Sequence, residues 1–218
     1  MPYREISPKT EACQFRKLRF PSGEIRSDWF EDSMNKAVFL DRDGTLNEEK
    51  HYLHRPEDVV LFAGAGTALK RLQDEGYRLF IISNQSGVGR GYFTLADVES
   101  VNARLRDELR PAGVAIEKIY IAPEAPDMPS RGRKPSPQFL FDARDEYGLD
   151  LGRSYMVGDK LIDLQCGWNA GVKRCILVRT GYGAETEREH AASIQRAIVL
   201  DDLAAAADWI LANSASRM

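Results

Sequence analysis

The segment AVFLDRDGT, residues 37–45, joins an uninterrupted apolar run to two carboxylates and a glycine. A short apolar run without polar alternation predicts a strand that is covered on both faces, as in a parallel sheet. Asp41 and Asp43 follow that run and, being one residue apart at a strand exit, can point to the same side, while Gly44 allows a sharp turn. One carboxylate could attack phosphorus while the other handles the proton of the leaving group.

Similar apolar runs alternate with amphipathic stretches along the rest of the chain. They predict further strands at 79–82, 116–121, 155–157 and 175–178, with a sixth at 197–200. Helices are predicted after Gly64, after the N-cap residue Thr94, at 138–147, at 161–170 and after Asp201. The alternation predicts an α/β fold: a three-layer, Rossmann-like parallel sheet with short insertions and no large cap.

The predicted domain covers residues 36–213, and residues 1–35 form a predicted irregular N-terminal arm. Six basic and six acidic residues are mixed within the first 33 positions, with few regular apolar positions. Two interpretations of the arm stay open. Either it packs on the domain through Trp29 and Phe30, or the protein begins at Met34 and the arm is an upstream extension.

Composition excludes several classes of protein. Thirty Lys and Arg against 33 Asp and Glu give a net charge of -3, which argues against a protein that coats nucleic acid or an anionic membrane. The three cysteines form no CxxC pair, so neither a disulfide framework nor a thiolate zinc site is predicted. Neither a membrane-spanning run nor a signal peptide is evident. We therefore expect a cytoplasmic protein, and its oligomeric state stays open.

Polar residues follow three more predicted strands. Ser83 and Asn84 come after the second strand, Arg133 and Lys134 after the third, and Asp159, Lys160 and Asp163 after the fourth. The carboxyl ends of parallel strands meet in one crevice, which is where open α/β sheets bind ligands. Clustered carboxylates are the ligands that Mg²⁺ prefers, and the cations suit a phosphate group. The sequence therefore predicts a magnesium-dependent phosphate site.

This ordered set resembles the four motifs of the haloacid dehalogenase superfamily of phosphohydrolases. The segments FLDRDGTLN, SNQSGVGRGYFT, RKPSP and SYMVGDKLIDLQCG are similar to those of the D-glycero-D-manno-heptose 1,7-bisphosphate phosphatases, with histidinol-phosphate phosphatases as close relatives. The similarity runs from about residue 36 to residue 181. It implies Mg²⁺-dependent hydrolysis of a phosphomonoester through an aspartyl-phosphate, with a heptose bisphosphate or histidinol phosphate as the substrate.

The resemblance also implies a role for each motif residue. Asp41 would be the nucleophile, Asp43 the general acid and then base, Ser83 a phosphoryl ligand and Lys134 a charge-neutralising residue. The metal ligands would be the Asp41 and Asp159 carboxylates and the backbone carbonyl of Asp43. Further substrate contacts are expected from Asn84, Arg133, Lys160 and Arg90, and support from Gly44, Thr45 and Asp163.

One departure from the heptose enzymes is visible. They carry a zinc loop after the third strand, whereas the matching positions here are Ala122, Glu124, Ser130 and Gly132, which are not a zinc-ligand set. No structural zinc is therefore expected. A rival function on this scaffold is a nucleic-acid 3'-phosphatase, which the acidic composition disfavours, so a small phosphorylated substrate is the expected partner. A non-catalytic binding module is disfavoured by the intact pair of aspartates.

Overall fold

The sheet places the ends of four strands side by side. A computed structural model describes residues 35–214, and the predicted arm, with Trp29, Phe30 and Met34, lies outside this range except for Asn35. The six strands are all parallel, in the order β3-β2-β1-β4-β5-β6. They are β1 (Lys36–Leu40), β2 (Tyr77–Asn84), β3 (Lys118–Ala122), β4 (Tyr155–Gly158), β5 (Arg174–Val178) and β6 (Ile198–Leu200).

Seven α-helices connect or follow these strands in the described part of the chain. They are α1 (Ala65–Asp74), α2 (Ser86–Gly89), α3 (Leu95–Leu109), α4 (Gln138–Tyr147), α5 (Leu161–Ala170), α6 (Gly183–Glu189) and α7 (Leu203–Ser214). Short 3-10 turns cover Pro56–Asp58, Arg110–Ala112 and Leu151–Arg153. None of the helices within residues 35–214 is both long and apolar enough to cross a bilayer.

Two apolar layers cover the sheet, because the strands are apolar on both faces. One contains Val38 and Leu40 of β1 with buried residues of α1, α3 and α7. The other contains Phe39 of β1 with buried residues of α4 and α5. Consecutive side chains of β1 therefore enter opposite layers, as strand geometry requires. This confirms the predicted three-layer α/β fold.

Local sequence explains most element boundaries. Thr94 caps α3 as predicted, since its hydroxyl accepts from the Asp97 backbone and the Asp97 carboxylate accepts from the Thr94 backbone. The third strand begins at Lys118 rather than at the predicted residue 116. The predictions missed α2 and α6. Residues 86–89 are helical although two of these four residues are glycines, a composition more typical of a loop.

Parallel register brings the predicted site segments together. Leu40 of β1 pairs with Ile81 of β2 and Val157 of β4. The Asp41 backbone continues this pairing by donating to the Val157 carbonyl at 2.9 Å. After β1, the chain forms a small flap, residues 46–62, which closes through backbone bonds between Leu46 and Phe62 and between Glu48 and Val60. The loops after β1, β2 and β4 therefore open onto one edge of the sheet.

Candidate active site

A cavity of about 350 Å³ lies at this edge. Its wall includes Asp41, Asp43, Ser83, Asn84, Lys134, Lys160 and Asp163, all of which the sequence had predicted as site residues. The flap and the segments after β2, β4 and β5 complete the lining with Glu49, His51, Tyr52, Leu53, Gln85, Ser86, Gly87, Ile162 and Tyr182. The four predicted segments therefore meet in one cavity.

Lys134 lies between two carboxylates. Its ammonium nitrogen is 2.6 Å from Oδ1 of Asp41 and 2.6 Å from Oδ1 of Asp163, and all three side chains are nearly inaccessible to solvent. Burial lowers the pKa of Lys134, but the charges of Asp163 and Asp41 outweigh burial and raise it above its ordinary value. Lys134 is therefore a permanent cation beside the Asp41 carboxylate.

The backbone of Lys134 is held by the end of β2. Its N–H donates to Oδ1 of Asn84 at 3.0 Å, and its carbonyl accepts from Nδ2 of Asn84 at 3.2 Å. Two reciprocal hydrogen bonds fix the main chain of Lys134 relative to the sheet. The long loop after β3 therefore delivers an ammonium group to a defined position.

Asp159 and Asp41 fit a divalent cation. Carboxylate oxygens of Asp41, Asp159 and Asp163 lie within 4.8 Å of one another. Oδ1 of Asp159 is buried and has no hydrogen-bond partner in the part of the chain that the structure describes, while Oδ2 accepts from the backbone of Tyr182 at 2.8 Å. Burial, together with the charge of Asp41, raises the pKa of Asp159 to about 8 despite the opposing charge of Lys160. An orphaned, destabilised carboxylate is what a hard cation would satisfy.

Asp163 has a different role within this cluster. Its Oδ1 pairs with Lys134, and its Oδ2 accepts from the backbone N–H of Lys160 at 2.9 Å. Both oxygens are therefore engaged by the protein, which agrees with the supporting role predicted for this residue. Burial raises the pKa of Asp163, and the charge of Lys134 opposes that increase.

Two glycines lie against the Asp159 carboxylate because a larger residue would collide with it. Gly44 has a φ of +85°, and a Cβ at this position would lie 2.2 Å from Oδ2 of Asp159. At Gly181, whose φ is +56°, a Cβ would lie 2.3 Å from the same oxygen. Only glycine allows this close approach. The adjacent Thr45, predicted to support the site, is fully buried.

The Asp43 side chain lines the same cavity and is held by its own set of hydrogen-bond donors. Its oxygens accept hydrogen bonds from Arg42, from Nδ2 of Asn47 at 3.0 Å and from Nε2 of Gln85 at 3.0 Å. Burial favours the neutral acid, but the charge and hydrogen bonds of Arg42, with those of Asn47 and Gln85, hold the pKa of Asp43 below its usual range. The carboxyl group therefore rests ionised at the cavity wall. The predicted metal contact of Asp43 concerned its backbone carbonyl and stays a prediction.

Ser83 is linked to the same network. Nε2 of Gln85 donates to Oγ of Ser83 at 2.7 Å while also contacting Asp43. Because the serine hydroxyl accepts this bond, its own hydrogen is free to donate to an oxygen in the cavity. This arrangement suits the predicted phosphoryl-binding role of Ser83.

Lys160 closes one side of the cavity. Its ammonium nitrogen is 3.1 Å from Oε2 of Glu49 in the flap and 3.8 Å from Oδ2 of Asp159. It also lies 4.7 Å from the centre of the Tyr182 ring, within the range of a cation–π contact. The Tyr182 hydroxyl reaches Nδ1 of His51 at 3.3 Å. These contacts join the flap to the loops after β4 and β5.

Arg90 and Arg133, predicted substrate contacts, do not line this cavity. Arg133 donates to the Glu124 carbonyl at 3.1 Å, and burial and the charge of Arg90 lower its pKa. Oγ of Ser130 donates to Oε2 of Glu124 at 2.6 Å, which closes the loop that carries Arg133. The contacts of both arginines with a substrate stay predictions, as does the expected absence of zinc.

Sequence reasoning missed Tyr182, Glu49 and Tyr52, which line the cavity. Tyr182 lies four residues after the end of β5, so extending the search to the segment after that strand would have found it. Glu49 and Tyr52 lie in the flap, where no regular pattern singles out a residue. Gln85 was visible within the second motif, but its contacts with Asp43 and Ser83 could not be inferred from spacing.

The comparisons with known proteins agree with this geometry. A D-glycero-alpha-D-manno-heptose-1,7-bisphosphate 7-phosphatase of Photorhabdus laumondii is 39% identical over 163 residues, covering 72% of this chain and 89% of the relative. A D-glycero-D-manno-heptose-1,7-bisphosphate 7-phosphatase of Thermosynechococcus vestitus is 40% identical over 196 residues, covering 83% and 98%. The HAD-hydrolase-like family matches residues 132–206. This chain belongs to the haloacid dehalogenase-like phosphatase family.

A solved structure extends the similarity of this phosphatase to three dimensions. The D,D-heptose 1,7-bisphosphate phosphatase of B. bronchiseptica, complexed with magnesium and phosphate, aligns with a TM-score of 0.75 and 32% identity. The alignment covers 81% of this phosphatase and 98% of that chain. The family resemblance seen in the four motifs is thereby confirmed for both sequence and fold.

Proposed function

We propose that this phosphatase hydrolyses the 7-phosphate of D-glycero-D-manno-heptose 1,7-bisphosphate, with Mg²⁺ as its cofactor. The observation that carries the proposal is the buried pair of Asp41 and Lys134 beside the orphaned oxygen of Asp159. Relatives at 39% and 40% identity carry the heptose-bisphosphate activity in their names. A structural neighbour was crystallised with magnesium and phosphate.

Asp41 would act as the nucleophile. Within residues 35–214 its Oδ2 has no hydrogen-bond partner, whereas Oδ1 is paired with Lys134. Attack by Oδ2 forms a bond from oxygen to phosphorus as the bond from phosphorus to the sugar oxygen breaks. Lys134 and the hydroxyl of Ser83 would compensate charge on the phosphoryl oxygens.

Asp43 would move the proton. It must first take up a proton and release one donor among Arg42, Asn47 and Gln85, since all three stabilise its ionised form. It then protonates the departing sugar oxygen, and its regenerated carboxylate accepts a proton from the water that hydrolyses the aspartyl-phosphate. The protein ends the cycle with Asp41 free and inorganic phosphate released.

Asp41 and Asp159 would hold the magnesium ion, with the backbone carbonyl of Asp43 as a third ligand by resemblance to the family. When bound, the ion supplies positive charge to the phosphoryl oxygens. Lys160 and Glu49 line the part of the cavity nearest the flap and would contact the sugar.

The test is phosphate release from a panel of substrates in buffer containing Mg²⁺. The panel consists of heptose 1,7-bisphosphate, histidinol phosphate and a 3'-phosphorylated oligonucleotide. We expect the highest kcat/KM for the heptose bisphosphate and no activity after Asp41→Asn. Asp127→Asn, an exposed change in the loop after β3, is the matched control and should retain wild-type activity. A preference for histidinol phosphate or the oligonucleotide would overturn the substrate assignment.

A further inference from the structure

A fully buried guanidinium lies directly behind the proposed acid–base residue. The Arg42 side chain has no solvent-accessible surface. Burying such a charge is costly unless it is paired and hydrogen-bonded. Arg42 occupies the position between the two aspartates of the first motif, so the sequence alone gave it no role.

Arg42 grips the Asp43 carboxylate with two nitrogens. Its NH2 nitrogen lies 2.8 Å from Oδ2, and its Nε lies 3.1 Å from Oδ1. This side-on fork fixes both the position and the rotation of the carboxylate plane, which a single hydrogen bond cannot do. Asn47 and Gln85 each add one donor, one to each oxygen.

The third nitrogen of the guanidinium is anchored in another element. NH1 of Arg42 donates to Oδ1 of Asn102 at 3.0 Å, and Asn102 is buried on the inward face of α3, beside Val101. Among residues 35–214, nothing forms a hydrogen bond with Nδ2 of Asn102. The only bond that this buried amide makes within the described chain is therefore the one to Arg42. Burying a side-chain amide costs free energy when its NH₂ group forms no hydrogen bond. The presence of Asn102 at this position therefore needs an explanation beyond packing.

We propose that Arg42, anchored by Asn102, is a positioning residue that acts on the reaction through Asp43. It would hold the carboxyl group within reach of the substrate oxygen that must be protonated. This inference rests on the proposed function, because it requires that Asp43 carry the proton. Arg42 itself does not line the cavity, so it would act on the substrate only through Asp43.

The leaving group separates this role from a purely structural one. An alkyl phosphate needs a proton on its departing oxygen, whereas p-nitrophenyl phosphate releases a stable anion and needs little help from an acid. Because kcat/KM reports the steps up to formation of the aspartyl-phosphate, it should reveal how strongly each substrate depends on protonation of its leaving group. We expect Arg42→Met to lower kcat/KM for the sugar phosphate about 100-fold and for p-nitrophenyl phosphate less than about 10-fold. Arg42→Lys should recover part of the loss.

A double-mutant cycle tests whether Arg42 acts through Asp43. If it does, Arg42→Met should cost little more in a protein that already carries Asp43→Asn, because the group being positioned is gone. Asn102→Ala keeps the forked pair and removes only its anchor. It should lower kcat/KM for the sugar phosphate about tenfold and for p-nitrophenyl phosphate less than about threefold. This variant decides the question if Arg42→Met does not fold, as thermal unfolding would show.

The outcomes are separable. Equal losses on both substrates in Asn102→Ala, or additive losses of Arg42→Met and Asp43→Asn, would overturn the positioning role while leaving the phosphatase assignment intact. A wild-type protein inactive on both substrates with Mg²⁺ would instead overturn the proposed function. The positioning role is supported by a larger loss on the sugar phosphate together with non-additivity.

Discussion

Asp159→Asn should stabilise the metal-free protein and abolish its response to Mg²⁺. Asp159 is buried, and its pKa is raised from 3.8 to about 8 by burial and by the Asp41 charge. The folded state therefore binds more protons than the unfolded state between these two values, so stability falls as pH rises through that window. At pH 8.5 the shift corresponds to a penalty on the order of 5 kcal/mol, at 1.36 kcal/mol per unit.

Asparagine removes the charge but still has to be buried, so we expect it to recover about half of that penalty. For a chain of this size, a gain of about 2–3 kcal/mol raises the unfolding temperature by about 5–10 °C. The side-chain oxygen of asparagine can keep the hydrogen bond from the Tyr182 backbone. Magnesium at 100 times its dissociation constant should stabilise the wild type by about 2.7 kcal/mol. It should not stabilise the variant.

Differential scanning calorimetry at pH 8.5, with EDTA or with Mg²⁺, measures both effects. The wild type should unfold at a lower temperature than Asp159→Asn in EDTA, and the difference should shrink at pH 5.5, where Asp159 is protonated. Asp127→Asn supplies the control for a change of net charge at an exposed site. A variant that is less stable than the wild type in EDTA, or that is stabilised by Mg²⁺, would refute the reasoning.

Three further expectations follow from the site. Lys134→Met should reduce kcat at least about 100-fold, and it should destabilise the fold because it leaves Asp163 buried without its cation. Phosphate release measures the loss of activity and calorimetry the loss of stability. A kcat near that of the wild type would contradict the expected loss of activity. Tyr182→Phe loses only the bond to His51. It should raise KM for the sugar phosphate less than Tyr182→Ala does, as measured by initial rates. Equal effects of the two changes on KM would argue against a role for the contact between the Tyr182 ring and Lys160. Because protons compete with metal for Asp159, whose pKa is raised, the Mg²⁺ concentration for half-maximal rate should rise from pH 8 to pH 6 in a metal titration. A constant value would exclude that competition.

The fold was largely predictable because buried parallel strands are apolar on both faces. Residues 37–40 could not be an exposed strand or a loop without leaving four apolar side chains in water. Helix α2 was missed because two of its four residues are glycines, which lower helix propensity. Helix α6 was missed although only its first residue is a glycine. At Gly183 in α6, a Cβ would lie 1.6 Å from the carbonyl oxygen of Val178, so tertiary packing imposes the glycine there.

The site was predictable only in part, for a related reason. Residues that follow strands, such as Asp41 and Asp159, are placed by the sheet itself, and their order along the chain is enough to bring them together. The contact between Arg42 and Asn102 spans 60 residues and depends on how α3 packs on the sheet. No periodicity in a single sequence reports such a pairing.

The two hydrogen bonds between Asn84 and Lys134 make the position of the Lys134 ammonium group independent of the loop that precedes it. Because these bonds hold the main chain of Lys134 against the end of β2, the preceding residues 123–133 do not determine where the ammonium group lies. The loop of residues 123–133 can consequently become longer or shorter, or be closed by other internal contacts, while the charge beside Asp41 stays in place. Grafting that loop between relatives should therefore leave hydrolysis at Asp41 intact.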